Sequence, residues 1–180
     1  VIIDEADRLN MLVGDLLSLS RMQSGKMVLH PTEFNITNAV QSIINTYKIM
    51  EDEQGYTFRF NCSGSYIVKG DADKIKQVVS NLLTNAIKFA GEDKTVIVTL
   101  KRRGRSCRVE DHGIGIAPEE LNHVWERYYR ASSNMVRASE GSGLGLSIVK
   151  EILTLHKSNF GVDSTVGEGT TFWFELDFVK

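Results

Sequence analysis

The chain predicts an α/β two-layer sandwich: one mixed sheet covered on one face by helices. Three observations carry this. Short runs of strand-forming residues recur at 56–62, 95–102, 106–111 and 170–178, bounded by glycine and polar turns. Segments with apolar residues three and four apart precede and separate them, most clearly at 72–90 and 144–156. Hydrophobic residues make up 42% and charged residues 24% of 180 positions, the balance of a globular protein with a real core. Net charge is -2, so neither nucleic acid nor an anionic lipid surface is an expected partner. No apolar run is long enough to span a membrane. The chain begins with Val1 rather than Met, and is expected to be a piece of a longer protein.

Taken in order, residues 1–22 read as a helix. Ile2, Ile3, Ala6, Leu9, Leu12, Val13, Leu16, Leu17 and Leu19 make a wide apolar stripe that calls for a partner helix in another part of the parent chain or in a second copy, the plainer alternative being packing onto the following domain. Asp4, Glu5 and Asp7 near its start and Arg21 near its end suit the macrodipole, and Gly25 is placed to stop it. Residues 26–35 connect, with Pro31 as breaker. Phe34–Met50 reads as one amphipathic helix with Asn35 or Thr37 as N-cap. Tyr56–Cys62 is a strand, and Gly64–Val68 a turn and a short strand. Asp71 is placed to cap a helix over 72–90. Thr95–Arg102 and Ser106–Asp111 form a hairpin about Gly104. Pro118 opens a short helix, residues 125–144 look irregular, and Leu144–His156 is a helix. Phe160–Ser164 and Thr170–Phe178 close the chain as strands. Cys62 and Cys107 have neither metal spacing nor a disulfide framework, and Cys107 reads as a buried, inert thiol beside Arg105 and Arg108.

The chemistry starts in NLLTNAIKFA, residues 81–90. Asn81 and Asn85 are four apart and share a helix face, and Lys88 and Phe89 continue it. A polar helix face is usually a solvated one, so these residues need a ligand elsewhere in the chain to mean more. Two glycine-rich segments supply a reason: Asp111-His112-Gly113-Ile114-Gly115-Ile116, and Gly141-Ser142-Gly143-Leu144-Gly145-Leu146 running into a helix. Glycines let a backbone approach a ligand, and N–H groups at a helix start favour phosphate oxygens. Neither segment alone is specific. The second has no Lys-Ser/Thr of a P-loop and no surrounding βαβ unit with a ribose-binding acid. Together with Asn85 as a neutral oxygen ligand for Mg2+, Lys88 and Arg130 as phosphate-pairing cations, Phe89 to pack on a purine and Asp111 to accept from an amino group such as adenine N6, they describe a nucleotide site.

The order of motifs resembles a sensor histidine kinase of two-component systems, with its GHKL (Bergerat-fold) ATP-binding domain. NLLTNAIKF resembles the family's N box, DHGIGI the G1 box, VWERYYR at 124–130 the F box, GSGLGL the G2 box, and GEGTTF at 167–172 the last glycine box. LLSLSRMQSG, closing residues 1–25, resembles the second helix of the dimerisation and phosphoacceptor hairpin.

The resemblance implies a truncated hairpin at 1–25 and a catalytic ATP-binding domain at 26–180 with its lid at 113–143. It implies Asn85 on Mg2+ with Asn81 in support, Lys88 on phosphate, Phe89 beside the nucleotide, Asp111 on adenine with Thr170 joining through water, and Arg130 at the γ-phosphate. Gly113, Gly115 and Ile116 belong to the ATP site, and Gly141, Ser142, Gly143, Leu144, Gly145 and Leu146 wrap the phosphates. ATP and Mg2+ are the implied cofactors. A response regulator receiver domain and a second copy joined through the hairpin are the implied partners. A cytoplasmic location, under a membrane-anchored sensor, follows from the same likeness.

The chain departs from the family in places. Val124-Trp125 and Tyr128 stand at F-box phenylalanine positions, and His156-Lys157-Ser158-Asn159 replaces the usual His-Gly-Gly. The family's phosphoacceptor histidine belongs to the first hairpin helix, and none of His30, His112, His123 and His156 fits that role. Water-directed ATPases resembling Hsp90, gyrase or mismatch-repair proteins carry Glu where Asn81 stands, and a carboxamide is a poor general base. A degenerate binding module is disfavoured by the intact Asn85, Lys88 and Asp111. An anti-sigma-factor kinase is disfavoured by residues 1–22.

Overall fold

The structure, a computed structural model, describes residues 2–129 and 142–179, with side chains from Leu9 onward among these, Met11 excepted. The first helix runs from Ile2 to Gln23 (α1) and stops where Gly25 takes a left-handed φ of 67° and its N–H reaches the Met22 carbonyl. The expected stripe at Ile2, Ile3 and Ala6 and the acidic start lie outside the described side chains. Of the remaining stripe, Leu19 is buried with Met22 where α1 packs on α5 (Gly145–Leu155), while Leu9, Val13, Leu16 and Leu17 are exposed.

The single helix expected over Phe34–Met50 is replaced by three elements. Thr32–Asn35 is a strand (β1), followed by Ile36–Thr46 (α2) and Lys48–Gln54 (α3). Asn35 is the cap, its side-chain oxygen accepting the Asn38 N–H at 2.9 Å. The break falls at Tyr47, whose backbone leaves the helix while its ring packs on Phe58 at 6.2 Å and its hydroxyl meets Thr84 Oγ1 at 3.2 Å. Tertiary contacts thus override an unbroken helical pattern.

The strands β2 (Thr57–Cys62), β4 (Thr95–Lys101), β5 (Ser106–Asp111), β7 (Gly169–Glu175) and β6 (Phe160–Thr165) form a sheet in that order. Among these described strands only β2 and β4 run parallel, so the sheet is mixed as expected. A small second sheet was not legible in the sequence: β1 pairs with β3 (Ile67–Gly70), which pairs with β8 (Asp177–Phe178). Along β4, β5 and β7 the buried residues alternate with half-buried ones. Val96, Val98, Cys107, Val109, Phe172 and Phe174 face the helices, while Ile97, Thr99, Arg108, Thr171 and Trp173 lie on the open face.

The covering layer is α4 (Ala72–Phe89) with α5 and α2. Asp71 caps α4, its carboxylate taking the Lys74 N–H at 3.2 Å and the His30 N–H at 3.0 Å. Burial alone would raise the Asp71 pKa, but these N–H groups and the nearby Lys74 charge hold it below its ordinary value. Ile75, Val78, Val79, Leu82, Leu83 and Ala86 turn inward, each large aliphatic contributing roughly 1.5–3 kcal/mol of burial. Their opposite row is left facing out, and the site is built on it. His156 is structural: its Nε2 accepts the Asp71 N–H at 3.0 Å, which leaves its Nδ1–H to donate to the Ile152 carbonyl at 2.8 Å. Cys107 is buried, and desolvation pushes its thiol up to about 12, the inert thiol expected. No helix among the described residues is long and apolar enough to cross a membrane.

Candidate functional site: a nucleotide-sized cavity

A cavity of about 440 Å³ opens between α4, the β5 end, β7 and the start of α5. One wall is the outward row of α4: Asn81, Asn85, Lys88 and Phe89 all line it. They meet there because residues four apart on α4 lie above one another, and its buried face is already committed to the core. The Lys88 Nζ lies 5.1 Å from the Phe89 ring centroid, a cation–π distance. Asn81 donates from Nδ2 to the Gly145 carbonyl at 3.2 Å, so it fastens α4 to the first turn of α5. A Cβ added at Gly145 would come within 4.0 Å of the Asn81 carboxamide.

Asp111 ends β5 at the cavity floor and is buried. Its Oδ1 accepts the Gly113 N–H at 2.9 Å. Burial raises its pKa to about 6, against backbone hydrogen bonds from Gly113 and Thr170 and the neighbouring His112 charge, which pull it down. A carboxylate has about four acceptor positions, so two backbone N–H bonds leave room for a further donor. Thr170 stands opposite Asp111 in the β5–β7 register. Ser164 Oγ donates its one proton to the Gly169 carbonyl at 2.7 Å. At its 3.0 Å contact with Ser164, Thr170 Oγ1 is therefore the donor, and its lone pairs remain for the cavity it lines.

The glycine segments shape the rest. A Cβ at Gly113 would sit 1.9 Å from the Phe89 carbonyl oxygen, so only glycine lets the turn after β5 lie against the end of α4. At Gly115, φ is 72° and a Cβ would sit 2.1 Å from the Thr165 oxygen. Gly115, Ile116, Ser142, Gly143 and Leu146 line the cavity, whereas Gly113 and Leu144 support it from behind, Leu144 being buried in the core. Gly143 accepts the Tyr128 N–H at 2.9 Å, joining the two described ends of the loop. Arg130 and Gly141 lie outside the described residues. In the segment leading to the loop, Val124 is buried and Trp125 packs edge-on against Phe160 and Phe172 at 5.0 and 5.5 Å. The Tyr128 ring, by contrast, is exposed.

Further lining residues were not singled out from the sequence. Ser80 and Thr84 could have been, since they are the adjacent four-residue row of α4 ending at Lys88. Tyr129 directly precedes Arg130, and its hydroxyl donates to Glu120 Oε1 at 3.1 Å. Asp15 of α1 and Tyr47 arrive by tertiary packing and left no signal in their own segments. Asp15 accepts from Ser142 Oγ at 3.4 Å; burial raises its pKa, and that bond lowers it.

With this geometry in place, comparison with known proteins identifies the fold. The family model described as histidine kinase-, DNA gyrase B- and HSP90-like ATPase matches residues 70–180. The chain belongs to that family. Among curated relatives, a sensor-like histidine kinase, SenX3 of Mycobacterium tuberculosis, is 34% identical over 174 residues, 96% of this chain and 42% of its own length. The sensor protein SrrB of Staphylococcus aureus is 32% identical over 178 residues, 98% of this chain and 30% of its own. The chain therefore spans less than half the length of these relatives. Among solved structures, full-length ShkA in complex with AMPPNP matches with TM-score 0.83 at 26% identity, covering 98% of this chain and 37% of that one. The histidine kinase ThkA in complex with the response regulator TrrA matches with TM-score 0.75 at 25% identity, covering 99% and 49%. The chain is thus a GHKL catalytic domain of the sensor-kinase kind, and its N box, G1 box and described part of the G2 box line the cavity.

Proposed function

We propose that this chain binds ATP with Mg2+ in the cavity and donates the γ-phosphate to a histidine carried on another helix of the parent protein or of a second copy, for relay to a response regulator aspartate. The observation that carries this is the convergence of Asn85, Lys88, Asp111 and the glycine segments on one cavity of about 440 Å³. Asp111 accepts from the adenine amino group and orients it, with Thr170 joining through water. Phe89 flanks the base or its sugar, and Lys88 pairs with phosphate oxygens. Ser142, Gly143 and Gly145 approach the phosphates at the start of α5. Arg130 and Gly141 complete the phosphate contacts in this reading.

Among the described residues no group of three or more His, Cys, Asp or Glu side chains could hold a metal alone. The donor set fits Mg2+ only in the manner that ion favours: the Asn85 amide oxygen together with waters and the oxygens of a bound triphosphate. When bound, Mg2+ supplies charge neutralisation on the phosphates. The chain's residues position: Asn85 and Lys88 hold the triphosphate so that an imidazole nitrogen meets the γ-phosphorus in line with the bond to ADP. A P–N bond forms as the P–O bond breaks, with ADP leaving.

Asn81 supports a protein acceptor over water, because its amide is bonded to Gly145 and offers no general base. Residues 1–25 are assigned to the second hairpin helix and 26–180 to the catalytic domain with its lid at 113–143. The exposed stripe Leu9, Val13, Leu16 and Leu17 supports a second copy joined through that helix. A cytoplasmic place for this domain beneath a membrane-anchored sensor belongs to the same reading, which rests on likeness to a sensor-like histidine kinase and a sensor protein.

Calorimetric titration with AMPPNP in the presence and absence of Mg2+ tests the site. Asn85→Ala should abolish the Mg2+-dependent part of the affinity, and an unchanged titration would remove Asn85 from its role. Rapid ATP hydrolysis by the chain alone would favour a water-directed ATPase.

A further inference from the structure

His112 is unused by the proposed function, yet it directly follows Asp111, which lines the cavity floor. Both of its ring nitrogens face carboxylates. Nδ1 is 2.6 Å from Asp93 Oδ2, and Nε2 is 3.5 Å from Glu110 Oε1. A neutral ring would turn a lone pair to one of them, so this is the setting of an imidazolium. Asp93 is itself held, its Oδ1 accepting the Thr95 N–H at 3.1 Å. Lys94, the adjacent cation on that loop, points away, donating to the Gln54 carbonyl at 2.7 Å and lying over the Tyr56 ring.

The backbone beneath this cluster has no slack. A Cβ at Gly91 would fall 2.1 Å from the His112 carbonyl oxygen, and one at Gly113 would fall 1.9 Å from the Phe89 carbonyl oxygen. The turn 111–113 therefore lies directly on residues 89–91, just beyond the end of α4, which carries Lys88 and Phe89. At its edge, the His112–Asp93 pair ties the turn to the loop that follows α4.

We propose that His112 is a positioning residue: paired with Asp93 and Glu110, it clamps the turn after β5 to the end of α4 and so sets the adenine-reading carboxylate of Asp111 against the phosphate wall. This rests on the adenine role proposed for Asp111. Four carboxylate and imidazole groups meet here: Asp93 from the loop after α4, Glu110 and Asp111 from β5, and His112. The Asp93 hydrogen bond raises the His112 pKa above its ordinary value, against a smaller desolvation effect, and His112 in turn lowers that of Asp111. As pH rises through the raised His112 pKa, the imidazolium is lost and the Glu110 contact turns unfavourable. As pH falls through about 6, Asp111 itself is protonated. Nucleotide affinity should therefore pass through a maximum, with Asp111 on the acid limb and His112 on the alkaline limb.

The experiment is calorimetric titration of AMPPNP over roughly pH 5.5 to 9 for the unaltered chain, His112→Gln and Asp93→Asn. His112→Gln should weaken binding about fivefold at neutral pH, erase the alkaline limb and move the acid limb upward. Asp93→Asn should move the alkaline limb to lower pH, and serves as the test if His112→Gln does not fold. Binding by either folded variant with the affinity and pH profile of the unaltered chain would overturn the clamp alone. No AMPPNP binding by the unaltered chain at any pH would overturn the adenine assignment, and the clamp with it.

Discussion

Asp111 illustrates how one residue's environment decides its chemistry. It is a carboxylate at a strand end, buried, and held by two backbone donors. Burial is the larger influence, so its folded pKa of about 6 lies above the ordinary 3.8. The sign for stability follows from linkage. A raised acid pKa means the folded state binds the proton more tightly than the unfolded one. The stabilising contribution is full below about 3.8 and is lost as pH rises through about 6. The chain thus tolerates a locally unfavourable charge at neutral pH, a common mark of a functional group. Asp111→Asn removes that cost and should leave the fold as stable or more so at pH 7, while weakening the preference for ATP over GTP. Competition between the two nucleotides for the cavity reads this out, and unchanged selectivity would contradict the adenine role. The spacing of Asn81, Asn85, Lys88 and Phe89 was legible because helix geometry alone puts them on one face. The pairing of Asp111 with Thr170 is set by strand register, and the motif resemblance rather than local pattern anticipated it.

At the scale of elements, legibility followed the range of the interactions that decide each one. The ends of α4 and α5 were read within a residue, because Asp71 caps by a contact three residues away and glycine opens the other helix. The stretch 32–54 was misread because its deciding contacts are distant. β1 exists through pairing with Ile67–Gly70, and the break at Tyr47 answers to Phe58 and Thr84. Four residues are too few to display a period, and nothing in the repeat of Ile36, Val40, Ile43 and Ile44 announces an end at Thr46. α1 belongs to the same class. Its stripe predicted a partner helix elsewhere in the parent chain or in a second copy, or packing onto the following domain. Leu19 and Met22 do pack onto that domain, through α5, while the rest of the described stripe stays exposed. Gln23 adds a bond from Nε2 to Glu151 Oε1 at 3.2 Å. Leu19 is fully buried, so Leu19→Ala should cost about 2–5 kcal/mol if α1 and the domain unfold together. Urea denaturation measures it. A loss well below about 1 kcal/mol would mean that α1 separates before the domain melts.

For the molecule as a whole, the cavity lies where separate layers meet rather than within one of them. α1 brings Asp15, α4 the polar row, β5 and β7 the floor, and the approach to α5 the glycine backbone. A ligand seated there touches elements that share the apolar core and are also joined by polar bonds such as Asn81 to Gly145 and Ser142 to Asp15. Because it binds the folded chain and finds no such cavity in the unfolded one, it must stabilise the whole by mass action. The gain is about 2.7 kcal/mol at a hundredfold excess over Kd. For a chain of this length each kcal/mol moves Tm by about 2–4 °C, so saturating Mg2+ and AMPPNP should raise Tm by roughly 5–10 °C. Asn85→Ala removes no buried apolar group and should melt near the unliganded temperature of the unaltered chain. Its ligand-induced rise should be mostly gone, because in the proposed role the Asn85 amide acts on the bound ligand alone. An equal rise in both proteins would mean that nucleotide stabilises the fold without using Asn85, and the wall formed by α4 would then need another ligand.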